Sequence, residues 1–414
     1  MLEKIEALLH TGLTDNIALA LTLAESQQID LNIAAYQDLF AWIYQDKSYP
    51  PFDNPVELLV NLMGIRVVNL NWKNITSIPA YLGKLVHLER LHLSNNALQE
   101  LPDSLGNLQQ LKILELSHNQ LVQLPACITN LPQLHHLDVS HNQLTSLPAW
   151  IGNSALTILS LAHNQLQAWP TSIGYCLQLK SLDVSSNPLG NPPTSLSQLP
   201  KLRLLNLAHT KLSQLPANVG QLQQLEQLYL NHNQLHYLPS TMGQLQSLIY
   251  LNIKHNQLKA LPDTLPQCSR LQELELSHNS LKEIPSTLEQ CSKLKRLSIS
   301  HCQLQQLPIT LSQLPQLQHL NAAYNQLSNI PEKLTALSKL RTLVLSGNKL
   351  TQLPSNWTQS SSLVRLYVSH NQLKGLPKSL LTLSSLKHLY LSNNPLLHLD
   401  ALFHNQNKIT LHFI

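Results

Sequence analysis

The sequence predicts an α/β solenoid, a curved stack of short repeats with a parallel β-sheet on its concave face. A 23-residue period begins at Ile65 and continues almost to the C-terminus, position four of each repeat is Leu in every copy but the first, and position fifteen is Pro in every complete copy. Fixed self-similarity of this length is the signature of a repeat architecture. Fifteen repeats can be aligned; the fourth is one residue shorter than the others and the last is incomplete. Their first residues are Ile65, Leu88, Leu111, Leu134, Leu156, Leu179, Leu202, Leu225, Leu248, Leu271, Leu294, Leu317, Leu340, Leu363 and Leu386.

The repeat 225–247, LEQLYLNHNQLHYLPSTMGQLQS, shows how one copy is built. In a strand through Leu228, Tyr229 and Leu230, side chains alternate between faces, so both leucines point inward and Tyr229 points outward. Parallel pairing of consecutive strands requires a crossover, and Pro239 ends the extended part because it cannot donate to a sheet. One repeat cannot bury its leucines alone, so the core forms only when repeats stack.

The pattern LxxLxLxxNxLxxLP resembles that of the leucine-rich repeats. Its 23-residue LP form is similar to the intracellular group that contains Ras-associated scaffolds and many bacterial repeat proteins. The resemblance covers about 335 of the 414 residues, counted from Ile65 to Leu399. It implies a horseshoe that binds proteins without catalysis.

Position nine is Asn in most repeats, and we expect a structural role for it. A buried amide carries donors and an acceptor, so it can satisfy backbone groups of adjacent turns. Lys73 and Thr210 depart from the pattern and suggest less regular turns, whereas Cys302 is an accepted substitute in the family. The asparagines are Asn96, Asn119, Asn142, Asn164, Asn187, Asn233, Asn256, Asn279, Asn325, Asn348, Asn371 and Asn394.

Residues 1–64 lie outside the period and predict a helical N-terminal cap, with a docking module as the alternative. Apolar residues recur at helical spacing in four segments. Asp30 or Asn32 can begin the third helix, Pro50 and Pro51 end it, and Pro55 opens the fourth. The repeat region is assigned to residues 65–399.

Residues 400–414 predict a C-terminal cap. The repeat pattern ends after Leu399, and the terminal copy of a solenoid needs an apolar cover. The apolar side chains available for this are Leu402, Phe403, Ile409, Leu411, Phe413 and Ile414.

Composition favours a cytoplasmic protein without a membrane span or a nucleic-acid footprint. The N-terminus MLEKIEALLH lacks the continuous apolar core of a secretory signal. The formal charge of +4 is spread along the chain without a Lys/Arg run. Five cysteines without a CxxC pair indicate neither a disulfide framework nor a zinc site. Cys176, Cys268 and Cys291 occupy position twenty-one and are expected in the core, although a redox pair of Cys268 and Cys291 is an alternative.

No motif of an enzyme is present, and we expect neither catalysis nor a cofactor or metal. The lower alternative is a metal-binding or catalytic face built from Glu115, Asp138, His136 and the histidines of position eight. We expect those histidines to hydrogen-bond at the strand edge, about 5 Å apart from repeat to repeat. They are His118, His141, His163, His209, His232, His255, His278, His301 and His370.

The residues that vary on the concave face predict a partner-binding surface. Tyr and Arg dominate interface hot spots, and the leucines already fill the core. The candidates are Tyr229, Tyr250, Arg296, Tyr324, Arg341, Arg365, Tyr367 and Tyr390. The partner is predicted to be a protein or peptide bound by a scaffold or adaptor, with a monomeric state favoured. The alternative is a regulatory subunit of a kinase, GTPase or ubiquitin-ligase signalling system that docks through the N-terminal helices.

Overall fold

The computed structural model describes residues 1–45, 52–153, 155–396 and 409–412. It divides into two compact units, Met1–Pro188 and Leu189–Ile414. We call these the N-terminal unit and the C-terminal unit. The predicted stops at Pro50 and Pro51, and the apolar residues Leu402, Phe403, Phe413 and Ile414, lie outside the described residues.

In the described part of the N-terminal unit, four helices precede the repeats. They are α1 (Leu2–Leu9), α2 (Thr14–Ser26), α3 (Ile33–Tyr44) and α4 (Pro55–Met63). Asn32 caps α3 as predicted, since its side chain accepts a hydrogen bond from the Ala35 N–H, and Asn54 caps α4 in the same way. Helix α2 begins at Thr14, so the residue in its cap position is Leu13, which makes no side-chain cap.

These helices pack directly on the first repeat. The Lys84 Nζ lies 2.6 Å from the Glu6 Oε1 of α1, and the ring of Tyr36 in α3 meets that of Tyr81 edge-on at 5.2 Å. Burial between these elements raises the pKa of Tyr36 to about 12. Helices α1 and α3 therefore contact the first repeat directly.

The described residues of the N-terminal unit form six parallel strands that pair in chain order. They are β1 (Val67–Asn69), β2 (Arg90–His92), β3 (Ile113–Glu115), β4 (His136–Asp138), β5 (Ile158–Ser160) and β6 (Ser181–Asp183). In each, the middle residue is buried and its neighbours face outward. Equivalent repeat positions are therefore adjacent across the sheet.

The C-terminal unit continues the same plan from β7 to β15. Its strands are β7 (Leu204–Asn206), β8 (Gln227–Tyr229), β9 (Tyr250–Asn252), β10 (Glu273–Glu275), β11 (Arg296–Ser298), β12 (His319–Asn321), β13 (Thr342–Val344), β14 (Arg365–Tyr367) and β15 (His388–Tyr390). Each pairs in parallel with the next, position for position.

The segment after the last repeat adds one more strand, β16 (Thr410–His412), which the sequence did not predict. It pairs in parallel with β15, placing Leu411 opposite Leu389 and His412 opposite Tyr390. Ile409, just before this strand, is buried. This segment thus covers the edge of β15 with backbone as well as side chains.

Short 3₁₀ turns follow the prolines and return the chain toward the next strand. In the N-terminal unit they are Ala80–Lys84, Asp103–Asn107, Ala126–Asn130, Ala149–Asn153 and Thr171–Tyr175. In the C-terminal unit they are Thr194–Gln198, Val219–Gln221, Ser240–Gln244, Leu265–Gln267, Ser286–Gln290, Ile309–Gln313 and Glu332–Ala336, with one helical turn, α5 (Lys378–Leu381). Leucines at positions one, four, six and eleven fill the interior between these turns and the strands.

The asparagine at position nine ties each repeat to the one before it. In Asn233, the Nδ2 donates to the Leu207 carbonyl at 2.7 Å and to the Leu230 carbonyl at 3.0 Å. Its Oδ1 accepts from the Leu212 N–H at 2.9 Å. The same pattern recurs at Asn119, Asn142 and Asn371. The predicted structural role of these amides therefore has a defined hydrogen-bond set.

Repeats without this asparagine bend differently at position ten. There Asn74, Lys211 and Gln303 have φ values of 55°, 61° and 62°. In a repeat with this left-handed geometry, the backbone N–H of position nine donates a hydrogen bond to the asparagine side chain of the next repeat. The Cys302 N–H, for example, donates to the Asn325 Oδ1 at 2.9 Å. The irregular turns predicted at positions 73 and 210 are present, and Cys302 has one as well.

Candidate functional site

Seven of the eight residues predicted from the sequence lie on what we call the strand face, the outward side chains of positions two, three and five; Tyr324 is at position eight. Strand backbones fix these positions, because each strand's buried middle leucine sets the orientation of its two neighbours. Among the predicted residues, the C-terminal unit brings together three groups. These are a tyrosine pair on β8 and β9, an arginine group on β11–β14, and a ring stack on β14–β16.

The tyrosine pair consists of Tyr229 and Tyr250 on adjacent strands. Their ring centroids are 4.9 Å apart and the planes are tilted by 41°. The Tyr229 hydroxyl donates to Gln227 Oε1 at 3.0 Å, and the Tyr250 hydroxyl accepts from Asn252 Nδ2 at 3.2 Å. Burial raises the pKa of Tyr250, with a further contribution from the negative charge of Glu275. Both rings are held in place, which reduces the entropy lost if a partner packs on them.

The arginine group consists of Arg296, Arg341 and Arg365, which surround the half-buried His319. The strand register places Arg296 directly opposite His319. The backbone N–H of Arg365 donates a hydrogen bond to the Arg341 carbonyl at 3.0 Å. Burial lowers the pKa of His319, and the three arginines lower it further by charge repulsion. His319 was not among the predicted site residues, although it occupies position three, one of the outward positions of its repeat.

The ring stack consists of Tyr367, Tyr390 and His412. Successive ring centroids are 4.1 Å apart, and both pairs of planes lie within 9° of parallel. His412 was missed because its strand lies beyond the regular period. The signal available was the match of Thr410-Leu411-His412 to His388-Leu389-Tyr390.

Tyr324 stands apart from the other predicted residues, because position eight lies on the turn after the strand. Its φ is 53°, and its ring stacks on that of His301 at 4.5 Å. A Cβ added to Gly347 would fall 2.5 Å from the Tyr324 Cδ1. The ring therefore occupies the space that glycine leaves open in the next repeat.

Eight of the nine position-eight histidines form stacked columns rather than the expected hydrogen-bonded ladder, whereas the ring of His370 lies 3.2 Å from the Asn393 Nδ2. All nine have left-handed φ values between 52° and 58°. In the N-terminal unit, His118, His141 and His163 stack with centroid distances of 3.9 and 4.1 Å. In the C-terminal unit the column runs through His209, His232, His255, His278 and His301 at 4.1 to 4.2 Å. The rings are thus closer than the predicted 5 Å.

Column geometry does not suit a metal ion. The lone pair of an imidazole lies in the ring plane, so parallel stacked rings direct their nitrogens side by side rather than toward one point. In the part of the chain that the structure describes, no group of three His, Cys, Asp or Glu could hold a metal ion.

The carboxylates of the lower alternative have local partners. The His92 Nδ1 lies 2.7 Å from the Glu115 Oε2. The Asp138 Oδ1 accepts the Ser140 N–H at 2.9 Å, which closes the turn after β4. Asn252 makes the same bond to Lys254 at 3.1 Å. Position five therefore serves the turn in several repeats, a role the sequence reading missed.

The position-twenty-one cysteines lie in the core, as predicted. Cys176, Cys268 and Cys291 are at most 2% exposed and are free thiols. Burial raises the pKa of Cys268 to about 12 and that of Cys291 to about 11. Because the thiolate is the reactive form, these thiols are poor candidates for redox chemistry.

A cavity of about 420 Å³ lies on the 3₁₀ side of the N-terminal unit. Among the described residues, its lining includes Ile128, Thr129, Leu131, Pro132, Leu134, Trp150, Ala155 and Leu156, of which none is charged and none is a predicted site residue.

Comparison with known families identifies the repeat. The model of the leucine-rich repeat region matches residues 51–185 and 176–309, and the leucine rich repeat model matches residues 332–404. The chain belongs to the leucine-rich repeat family. The predicted fold class, a leucine-rich-repeat solenoid with a parallel sheet and a small helical N-terminal segment, is confirmed.

Solved structures of other leucine-rich-repeat proteins resemble this chain over most of its length. A leucine-rich-repeat protein of Leptospira interrogans is 33% identical with a TM-score of 0.79, covering 88% of this chain and all of its own. A plant peptide hormone receptor, RGFR1, in complex with RGF2, is 28% identical with a TM-score of 0.67, covering 83% of this chain and 61% of its own. The functional domain of InlJ from Listeria monocytogenes shares the fold at 22% identity and a TM-score of 0.70, covering 85% of this chain and 74% of its own. No curated protein matches the chain.

Leucine-rich repeats serve in general as surfaces for protein–protein interaction, and proteins of this family are typically non-catalytic. Within the described ranges, none of the helices has the length and apolarity needed to cross a membrane.

Proposed function

We propose that this chain is a non-catalytic scaffold or adaptor that binds a protein or peptide on the strand face of its C-terminal unit. The observation that carries the proposal is the concentration of Tyr and Arg side chains on the strand face between β8 and β15. The core does not need them, because the buried leucines of the same strands already fill it. Tyr and Arg are the side chains that most often dominate binding energy at interfaces.

The family comparisons support a peptide or protein as the partner. RGFR1, at 28% identity, was solved in complex with RGF2. A leucine-rich-repeat sheet offers a row of equivalent positions at a spacing of about 4.8 Å, so an extended segment can contact several repeats at once.

We further propose that residues 1–64 act as a cap, residues 65–399 as the binding region and residues 400–414 as a second cap. The ion pair between Glu6 and Lys84 and the contact between Tyr36 and Tyr81 support the first assignment, because they commit α1 and α3 to the first repeat. The buried free thiols Cys268 and Cys291 are compatible with a reducing, cytoplasmic compartment, which we also propose.

Affinity capture with mass spectrometry tests the function. The double variant Tyr367→Ala/Tyr390→Ala is expected to lose the partner that the parent protein retains. Tyr175→Ala is the matched control, because this tyrosine is 67% exposed but lies on the 3₁₀ side. Equal recovery of the partner by the double variant and the control would contradict the proposed surface.

A further inference from the structure

The strand face of the last five repeats carries cations without carboxylates. Positions two to eight of the repeats that begin at Leu294, Leu317, Leu340, Leu363 and Leu386 contain no Asp or Glu. They contain Lys295, Arg296, Arg341, Arg365 and Lys387, which we call the basic strand face. The preceding repeat has the opposite character, with Glu273 and Glu275 on β10. Charge is thus segregated along the C-terminal unit although the chain as a whole is only +4.

Most of this positive charge is uncompensated. Arg296 has a carboxylate neighbour, the Glu273 Oε1, at 3.6 Å from its Nε, and both side chains are largely exposed. Among the described residues, Arg341 and Arg365 have no carboxylate within ion-pair distance. Burial is the main cause of the lowered pKa of His319, and the three arginines lower it further while Glu273 partly opposes them.

We propose that the basic strand face binds an acidic protein segment that lies extended across the strands, with its carboxylates on Arg296, Arg341 and Arg365. This deepens the proposed function and rests on it. The planar guanidinium suits the geometry of a carboxylate, which it can bind through two parallel hydrogen bonds.

Spacing defines the segment further. Arg296 and Arg365 lie on strands three steps apart, about 14 Å at the usual spacing of parallel strands. An extended chain advances about 3.4 Å per residue, so acidic residues at positions i, i+2 and i+4 span nearly the same distance. Alternate side chains of an extended segment also point to one side, which directs all three carboxylates to the sheet.

The ring stack favours a peptide over a single-stranded nucleic acid. Proteins bind single strands by stacking bases on exposed aromatic faces next to a cationic groove. In the stack of Tyr367, Tyr390 and His412, successive rings cover each other at 4.1 Å. The Tyr367 and Tyr390 side chains are also hydrogen-bonded to each other, so the stack presents ring edges and a polar hydroxyl rim, which suits the polar backbone and side chains of a peptide.

Fluorescence anisotropy with a short labelled peptide tests the proposal. The probe carries Glu at i, i+2 and i+4, and two comparison probes carry Gln at these positions or consist of oligothymidylate. We expect the full-length protein to bind the Glu peptide, to bind the Gln peptide at least about tenfold more weakly, and to lose affinity as salt is raised.

The variant Arg296→Gln/Arg341→Gln/Arg365→Gln is expected to lose about tenfold in affinity for the Glu peptide. Arg203→Gln is the matched control, because Arg203 is an exposed position-two arginine of the same unit. Circular dichroism confirms that each variant is folded.

Three results would overturn the inference: no binding of the Glu peptide up to about 1 mM, equal binding of the Glu and Gln peptides, or tighter binding of oligothymidylate. None of these bears on the tyrosine test of partner capture, so the proposed function can stand when this inference falls.

Discussion

The side-chain oxygen of Asn233 accepts the backbone N–H of Thr210 at 3.0 Å, so an asparagine in one repeat closes the turn of the repeat before it. Thr210 is fully buried, and its own hydroxyl donates to the Leu207 carbonyl at 2.8 Å. Thr210 and Asn233 together thus make the turn hydrogen bonds of this repeat, which has no asparagine of its own at position nine. The stability of this region depends on both sides of the contact.

Replacement of Asn233 by Ala is expected to lower the free energy of unfolding by about 2–4 kcal/mol, because it leaves buried backbone groups of two repeats without partners. Chemical denaturation followed by circular dichroism measures the change. Gln234→Ala is the control, since Gln234 is exposed and adjacent in sequence. A loss below about 0.5 kcal/mol for Asn233→Ala would contradict the assigned role.

Replacement of Gly347 by Ala is expected to destabilise the protein by about 1–3 kcal/mol, since the new methyl group meets the Tyr324 ring at a position where φ is +71°. The double variant Gly347→Ala/Tyr324→Ala removes the steric part and leaves the backbone strain. Thermal unfolding of the four proteins of this cycle separates the two terms. If the two substitutions are additive, the ring does not occupy the space above Gly347.

The histidine columns predict a loss of stability on acidification. Burial, followed by repulsion from His278, lowers the pKa of His255 to about 4. The pKa values of His141, His232 and His278 are lowered in the same direction, mainly by burial. Between about pH 6.5 and pH 4 the unfolded chain therefore binds more protons than the folded one, so stability is full above this window and falls within it.

Thermal melts between pH 7.5 and pH 4.5 check this prediction. His255→Asn is expected to flatten the dependence on pH, whereas His236→Asn, which changes an exposed histidine outside the columns, is expected to leave it unchanged. If the parent protein has the same melting temperature at pH 7.5 and pH 5, protonation of the histidine columns does not destabilise the fold.

Truncation after Leu399 is expected to promote aggregation, because it removes β16 and exposes the backbone edge of β15. Light scattering after size-exclusion chromatography measures the associated fraction. The single variant Leu411→Ser keeps the strand and weakens only its contact with the core, so it should fall between the parent and the truncation. A monodisperse, equally stable truncated protein would remove the assignment of this segment as a cap.

The repeat sequence predicted the parts of the fold that depend on local rules. Leucine spacing predicted the strands, and proline predicted where the extended part of each repeat ends. The amide chemistry of the position-nine asparagines predicted that they are buried and hydrogen-bonded to the backbone. The left-handed turn at Gln303 was not predicted, because it depends on where Asn325 of the next repeat directs its oxygen. Strand β16 was missed because its spacing departs from the period.

Less of the candidate site could be predicted, because it depends on contacts between repeats. Tyrosines and arginines were identified as surface residues by position. Their grouping with His319 and His412 required the register of neighbouring strands. The close stacking of the imidazoles likewise depends on the left-handed φ at position eight, which cannot be predicted from the presence of histidine alone.

The asparagine bonds also determine where the chain tolerates a change of length. Each amide joins position six and position eleven of the preceding repeat to its own turn, so a residue inserted between these positions would separate atoms that must meet. The shortened fourth repeat obeys this limit: Asn164 still bonds to Val139 and Leu144, and the missing residue falls beyond Pro148. Whole repeats can therefore be gained or lost by duplication or deletion of the gene, while single-residue changes are confined to the 3₁₀ side, away from the strand face.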